Sequence, residues 1–386
     1  MGHLSIVSQN AAPLKGIKVI ELARILAGPW AGQTLSDLGA EVIKIESPQG
    51  DDTRQWGPPW IDNKGEKTAA YFHACNRGKQ SSVCDLTQQA DRDALLELVN
   101  DADVLIENFK VGGLVKYGLD FDSLHKMNPK LVYCSITGFG QNGPYAHRAG
   151  YDFMIQGMSG IMDLTGEAEG QPQKMGVAFA DIFTGLYSVI AIQSALMQRQ
   201  QTGKGQHIDM ALFDCMSAVL ANQSMNYLAS GKAPTRLGNR HPNIAPYQTF
   251  AVRDGHLIIA VGNDEQFKRL CKAIDLSQLA EDERFASNAL RVENSTALER
   301  LLSPAILKFT RDELLTILET AVVPAGPINT VKDVFEDAQF IARNMLINPE
   351  GIPGVRTPIQ FSDSNLNTEH CSPVLGSRKL DKTTGG

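Results

Sequence analysis

The chain has 386 residues, with 43 acidic against 36 basic side chains and a formal net charge of −7. That balance gives no broad positive field for a nucleic acid or an anionic membrane surface, so neither is an expected partner. A composition of 43% hydrophobic and 20% charged residues is that of an ordinary globular protein, and the length predicts two domains. No apolar run reads as long as the ~18 residues that cross a bilayer. Met1–Pro13 lacks the basic and apolar regions of a signal peptide and reads as a loose tail, and Thr383–Gly386 as a frayed end. Six scattered cysteines (75, 84, 134, 215, 271, 371) form no CxxC pair, which predicts reduced thiols and a cytoplasmic location. The eight histidines show no ligand spacing, so neither a metal nor a permanently bound cofactor is expected.

Ile17–Leu22 predicts a strand, Ala27–Gly39 a turn and a helix ending on glycine, and Ala40–Glu46 a second strand. Strand, helix and strand within about 30 residues is the βαβ spacing of a parallel sheet. Gly28, Gly32 and Gly39 do not make GxGxxG, so nicotinamide binding is not implied. Gly50–Trp60 reads as a loop, Ser81–Asp85 as a third strand, and Asp91–Asp101 as a helix with Leu95, Leu96, Leu98 and Val99 at helical spacing. Asp103–Phe109 and Leu131–Gly140 are a fourth and a fifth strand. Asn108 and Phe109 stand at a strand end, where open parallel sheets bind ligands, although a plain strand–loop transition fits them equally.

Gly176–Gly185 is a small-residue stretch holding one acid, Asp181, ahead of the apolar run Leu186–Met197 of helical length. Two readings stand for Asp181: an N-cap of that helix, or a carboxylate nucleophile able to form a covalent acyl intermediate. Gln206–Met210 predicts another strand, and Phe213–Leu228 a helix closed by Gly231. Beyond Lys232 the texture changes. Thr249–Val252 and His256–Val261 flank Asp254-Gly255 as a hairpin, short charged helices follow to about Ala321, and Val323–Ile328 reads as a return crossing. The domains are expected at 13–228 with 330–386, and at 229–329.

Leu14–Leu22, Ala27-Gly28-Pro29, Leu38–Glu46, Asn76–Lys79, Ala102–Phe109 and Thr202–Gln206 resemble, in order, the motifs of the class III CoA-transferases. That superfamily includes formyl-CoA and carnitine CoA-transferases and alpha-methylacyl-CoA racemase. The resemblance spans about Pro13 to Gly376. It implies an α/β fold with a Rossmann-like large domain, a smaller α+β domain, and an interlaced-ring homodimer. It places Asp181 as the catalytic carboxylate, which attacks an acyl-CoA thioester and comes to hold CoA as its own thioester; the coenzyme is then a substrate. Coenzyme A contacts are implied at Arg24, Leu26, Ala27, Cys84, Asp85, Leu86, Thr87, Asn108, Phe109, Lys110, Lys116 and Arg148 to Tyr151. Read singly, without the family, Arg24, Lys116 and Arg148 are more often solvated surface cations than ligands.

Two departures bear on the substrate. Leu26 stands where the oxalate enzyme has glutamine. Gly238–Tyr247 stands where that enzyme closes its site with a glycine-rich loop. This segment offers Arg240 and His241 to a distal carboxylate, which points to a small dicarboxylate such as succinate or glutarate, although a surface arginine or a contact to a CoA phosphate fits Arg240 about equally. The loop, with Ser135–Gly138 and Arg148–Asp152, also resembles the succinyl-CoA:dicarboxylate branch of the family most closely in look. The alternative activity is 2-methylacyl-CoA racemase. That chemistry needs two bases, and its branch carries Gly-His-Asp where this chain has Gly150-Tyr151-Asp152. A tyrosine with an ordinary pKa of about 10 does not replace that histidine near neutral pH.

Overall fold

The computed structural model describes residues 11–381, so the expected tail before residue 11 and the end after residue 381 lie outside the described residues. Two compact units share the chain. The first holds residues up to Ile161, Lys174–Met225 and the segment from Ala338; the second holds Met162–Gln173 and Asn226–Asp337. Residues 162–173 thus cluster with the second unit.

The first unit is built on strands β1 (Lys18–Glu21), β2 (Glu41–Glu46), β5 (Gln80–Val83), β6 (Val104–Glu107), β7 (Val132–Thr137) and β8 (His207–Ala211). A separate hairpin, β3 (Trp60–Asn63) and β4 (Glu66–Ala69), begins at the last residue of the expected loop and extends beyond it. The six strands pair in parallel in the order β5-β2-β1-β6-β7-β8. Alternation places successive side chains on opposite faces. Val19, Val104, Ile106, Val132 and Ile136 face one core with the helices Ala27–Asp37 and Phe179–Thr202. Ile20, Ile43, Leu105 and Tyr133 face the other, with Leu95, Leu98 and Leu124. Covering both faces is what buries a parallel sheet. The strand order reverses direction between β1 and β6, which opens a crevice at their carboxyl ends.

Several expectations need correction. The helix holding Asp181 begins at Phe179 rather than Leu186; its N-cap is Ala178 and Asp181 lies within the first turn, so the capping role is not its own. This helix has 24 residues and a window of mean hydropathy 1.4, long and apolar enough by length and composition to cross a membrane, contrary to the expectation. Its glycine and hydroxyl residues interrupt the apolar run without breaking the helix. Ser188 and Thr184 satisfy their hydroxyls on Thr184 and Ala180 carbonyls one turn back. The expected helix Phe213–Leu228 is two, Leu212–Ala218 and Ala221–Ser230, with Ala221 at φ 48° beside the break. The loop Gln141–Asp152 ends in a helix, Asp152–Met158.

The second unit is a three-stranded antiparallel sheet with helices packed on it. β9 (Tyr247–Val252) and β10 (Gly255–Ala260) form the hairpin, and β11 (Ala325–Pro327) pairs with β10. Val323–Ile328 is therefore a strand of this sheet and not a plain crossing. Phe250, Leu257, Ile259, Phe267, Leu302 and Leu314 are among its buried core.

Candidate functional site

Three turns converge at the switch point. The first follows β1, where Arg24, Ile25 and Ala27 lead into the helix Ala27–Asp37. Ile25 has φ 72°, a conformation that costs a β-branched residue strain. Its N–H faces the Asp51 carboxylate at 3.3 and 3.4 Å. Asp51 is ion-paired with the fully buried Lys44 at 2.9 Å, and Lys44 also meets Glu21 at 3.0 Å and donates to the Ala23 carbonyl at 2.9 Å. The Lys44 charge, with the Thr53 hydrogen bonds, holds the Asp51 carboxyl below its usual range against the opposing pull of burial. Thus a buried charge chain from the sheet supports the turn.

The second turn follows β6. Asn108 ties it to the first, accepting from the Arg24 N–H at 2.9 Å and donating to the Arg24 carbonyl at 2.8 Å. The third is the approach to the helix Asp152–Met158. Gly138 and Gly150 lie back to back: a Cβ on Gly150 would come within 2.4 Å of the Gly138 Cα. Only glycine at both places lets the segment Ala149–Asp152 close on the end of β7.

These turns and Asp181 enclose a cleft of about 290 Å³. Arg24, Ala27, Asn108, Phe109, Lys110, Arg148, Tyr151 and Asp181 line it together, and Asp152 and His147, not singled out in the sequence, join them. Arg24 and Phe109 also line a cleft of about 500 Å³ that holds Cys84, Asp85, Leu86 and Thr87. Arg24 and Phe109 are therefore shared by the two clefts. Leu26 and Lys116 line neither cleft. Leu26 is buried, and its carbonyl accepts the Trp30 N–H at 2.7 Å. Lys116 is exposed, with its ammonium 4.7 Å from the Tyr117 ring. The Cys84 thiol is pushed up to about 12 by burial, so it is no nucleophile. Arg240 and His241 belong to the second unit. There Arg240 lies 3.7 Å from Glu299 and 3.3 Å from the Thr296 hydroxyl, in a cleft of about 450 Å³ with Glu167 and His256. His241 accepts the Asn243 N–H on Nδ1 at 3.0 Å.

Asp181 is half-buried, and burial pushes its carboxyl up to about 7; the neighbouring Asp152 adds to the rise, and a hydrogen bond from the Ala27 N–H opposes it. The first turn of a helix favours an anion there, but by only about 0.3–1 kcal/mol. Desolvation outweighs it, because the low-polarity surroundings disfavour the charged form more than the helix end favours it. Asp152 supplies the cap that Ala178 lacks: its Oδ1 accepts the Ala180 N–H at 2.9 Å and its Oδ2 accepts the Gln156 amide at 2.8 Å. The buried Gln156 in turn accepts the Met175 N–H at 2.9 Å. On the far side Gly185 lets the helix press on its neighbour, since a Cβ there would stand 2.8 Å from the Ala27 carbonyl. The result is a poorly solvated carboxylate facing a backbone N–H donor, an arrangement suited to nucleophilic acyl chemistry. Among the described residues no group of three or more His, Cys, Asp or Glu is placed to hold a metal ion.

The profile of the family described as CoA-transferase family III matches residues 14–379. The chain is 57% identical over 375 residues to a succinate–glutarate CoA-transferase of Agrobacterium fabrum, covering 95% of this chain and 94% of that protein. It is 42% identical over 372 residues to an acetyl-CoA:oxalate CoA-transferase of Acetobacter aceti, covering 96% and 93%. A crystal structure of a CAIB/BAIF family protein from Brucella suis superposes with a TM-score of 0.87 at 66% identity, covering 96% of this chain and 97% of that one. The chain belongs to CoA-transferase family III.

Proposed function

We propose that this transferase moves CoA from a succinyl-CoA-like donor to a second small dicarboxylate, through a thioester on Asp181. The observation that carries the reading is the half-buried Asp181 carboxylate, raised to about 7, against the Ala27 N–H at the mouth of the switch-point cleft. An ionised Asp181 oxygen attacks the donor thioester carbonyl; the C–S bond breaks, leaving a mixed anhydride and CoA thiolate. The thiolate attacks the Asp181 carbonyl carbon, expels the donor carboxylate, and leaves aspartyl-CoA. An acceptor carboxylate attacks that carbonyl and displaces the thiolate, which then takes the acceptor acyl group and returns Asp181 to its carboxylate. The intermediates formed at the Asp181 carbonyl carbon carry an oxyanion beside the Ala27 N–H, which favours it, and exclusion of water protects the anhydride. Thioester energy passes from acid to acid, so the steps balance without a further reactant.

The names of the Agrobacterium and Acetobacter relatives support dicarboxylate substrates. Arg240 supports them by chemistry, since guanidinium is the usual bidentate partner of a carboxylate. Its contact with Glu299 is long at 3.7 Å, and a substrate carboxylate competes with it. We also infer an interlaced homodimer. Leu186, Tyr187, Ile190 and Met197 leave an apolar stripe on one helix, with Ile190 at 58% and Met197 at 68% exposure, and a contiguous patch of this kind fits a partner surface. Six free, buried thiols support a reducing, cytoplasmic setting.

The test crosses acyl-CoA donors with carboxylate acceptors and follows the CoA esters by chromatography. Succinyl-CoA with glutarate should exceed succinyl-CoA with acetate or another monocarboxylate. Hydroxylamine added during turnover should label the peptide holding Asp181, and a label elsewhere removes the aspartyl intermediate. Deuterium exchange at the α-carbon of a 2-methylacyl-CoA should be absent; because His147 stands on the cleft wall, rapid exchange would overturn the transferase mechanism in favour of racemisation.

A further inference from the structure

Glu107, Ser135 and His207 come from three adjacent strands and face the same side of the sheet, because Glu107 is paired with Ser135, and His207 with Tyr133 two residues before it. The Glu107 Oε2 accepts the Phe109 N–H at 2.7 Å, and the Ser135 hydroxyl hydrogen-bonds the same carboxyl. The Ser135 Oγ meets the His207 Nε2 at 2.9 Å. The His207 ring stacks on Phe121 at 5.0 Å, which fixes its plane. A second cleft, of about 220 Å³, reaches this trio from outside and shares Lys110 and Val111 with the first. Glu107 does not line the first cleft, but the Asn108–Phe109 turn that it holds does.

We propose that Glu107 is a positioning residue for this turn and that the protonation state of the Glu107–Ser135–His207 chain sets how tightly coenzyme A is held. The inference rests on the CoA-transferase reading and adds three residues to it.

Two proton arrangements satisfy every partner. With Glu107 protonated, its O–H donates to Ser135, Ser135 donates to His207 Nε2, and His207 keeps its proton on Nδ1. When Glu107 loses its proton to solvent, Ser135 turns to donate to the carboxylate. His207 then donates from Nε2, having exchanged its ring proton through water. Only in the second state does Phe109 N–H meet a full anion, and hydrogen bonds to charged acceptors are roughly twice as strong as neutral ones. Burial pushes the Glu107 carboxyl up to about 7, so both states are reached near neutrality. The ionisable groups that surround the chain are Lys110 on the turn, Tyr133 and Cys134 on β7, Asp209 on β8, and Asp120, Asp122 and His125 at and in the helix Phe121–Met127. Asp209 and Asp122 act on His207, whose pKa burial nevertheless lowers, so the ring stays neutral in both arrangements.

The test measures the Kd of free CoA by calorimetry between about pH 6 and 8.5, alongside transferase kcat and KM. In the native enzyme, binding should tighten about 5-fold as pH rises through about 7, the difference between a neutral and a charge-assisted bond. Glu107→Gln mimics the protonated carboxyl: its Kd should match the native value at low pH and be about 5-fold weaker than native above about 7.5, any slope left being that of Asp181, with kcat little changed. A Glu107→Gln enzyme that keeps the native slope overturns the proposal. If that variant does not fold, Ser135→Ala carries the test. Loss of the hydroxyl donor should move the midpoint to higher pH, and an unmoved midpoint is equally fatal. Intact, pH-dependent CoA binding without acyl transfer would count against the functional reading alone.

Discussion

Asp152 caps the helix that carries Asp181: its Oδ1 accepts the Ala180 N–H at 2.9 Å while its charge raises the pKa of the Asp181 carboxyl. One acid therefore both positions the helix turn that holds Asp181 and holds back the ionisation of its carboxyl. Burial is the larger cause of the rise and Asp152 adds to it, so the Asp181 carboxyl is pushed up to about 7 although it sits in the first turn of a helix, where the dipole favours its anion.

In the proposed mechanism only an ionised Asp181 attacks a thioester, so the rate should rise with pH and level off above about 8, with a midpoint near 7. Asp152→Asn removes the like charge and should move that midpoint to lower pH. It should also cost about 1–2 kcal/mol of stability, because one face of the new amide opposes the Gln156 donor. A pH–rate profile and a denaturant titration check the two parts, and an unchanged midpoint would remove Asp152 from the electrostatics.

Asp181→Asn should abolish transfer yet raise the Tm by roughly 2–4 °C at pH 8. The sign follows from the raised folded-state pKa. The folded chain holds the Asp181 proton more firmly than the unfolded chain, so its stabilising effect is complete below about 4 and is lost as pH rises through about 7. At pH 3 the native and variant proteins should melt together, which differential scanning calorimetry at the two pH values reads.

Lys44→Ala leaves Asp51 and Glu21 as unpaired buried anions and should cost about 3–5 kcal/mol. The loss should fall on the strained Ile25 turn as well as on global stability. Amide exchange at Ala27 should then quicken more than exchange in the second unit.

Gly150→Val drives a Cβ into the Gly138 backbone, whose Cα lies 2.4 Å from that position. Overpacking of this kind costs about 1–3 kcal/mol, and here it displaces Tyr151 and Asp152 together. Turnover should fall by at least about 10-fold while the second unit's core stays intact, as near-ultraviolet dichroism and the kinetics together would reveal.

Arg240→Ala should raise the KM for dicarboxylate acceptors by about 10- to 150-fold, the worth of one charge-assisted contact of about 1.5–3 kcal/mol, and leave monocarboxylates nearly unchanged. Equal losses for both classes of acid would remove Arg240 from the acceptor site.

The parallel α/β layering is legible in the chain, because short apolar strands such as Lys18–Glu21 and Glu41–Glu46 alternate with a helix at βαβ spacing. So is the candidate nucleophile, through one acid in an apolar, small-residue stretch and the motifs around it. What tunes that acid is set by the fold. Asp152, Gln156, Lys44 and Asp51 lie far from Asp181 or the Ile25 turn in sequence, and nothing local marks an aspartate as another helix's cap. The break at Ala221 and the strand Ala325–Pro327 were likewise illegible, since apolar periodicity continues across the first and the second has three residues, two of them Gly and Pro. Local pattern records which face of an element is apolar. The pKa of a carboxyl depends on how much water and which charges surround it, and only the folded arrangement of distant segments sets those.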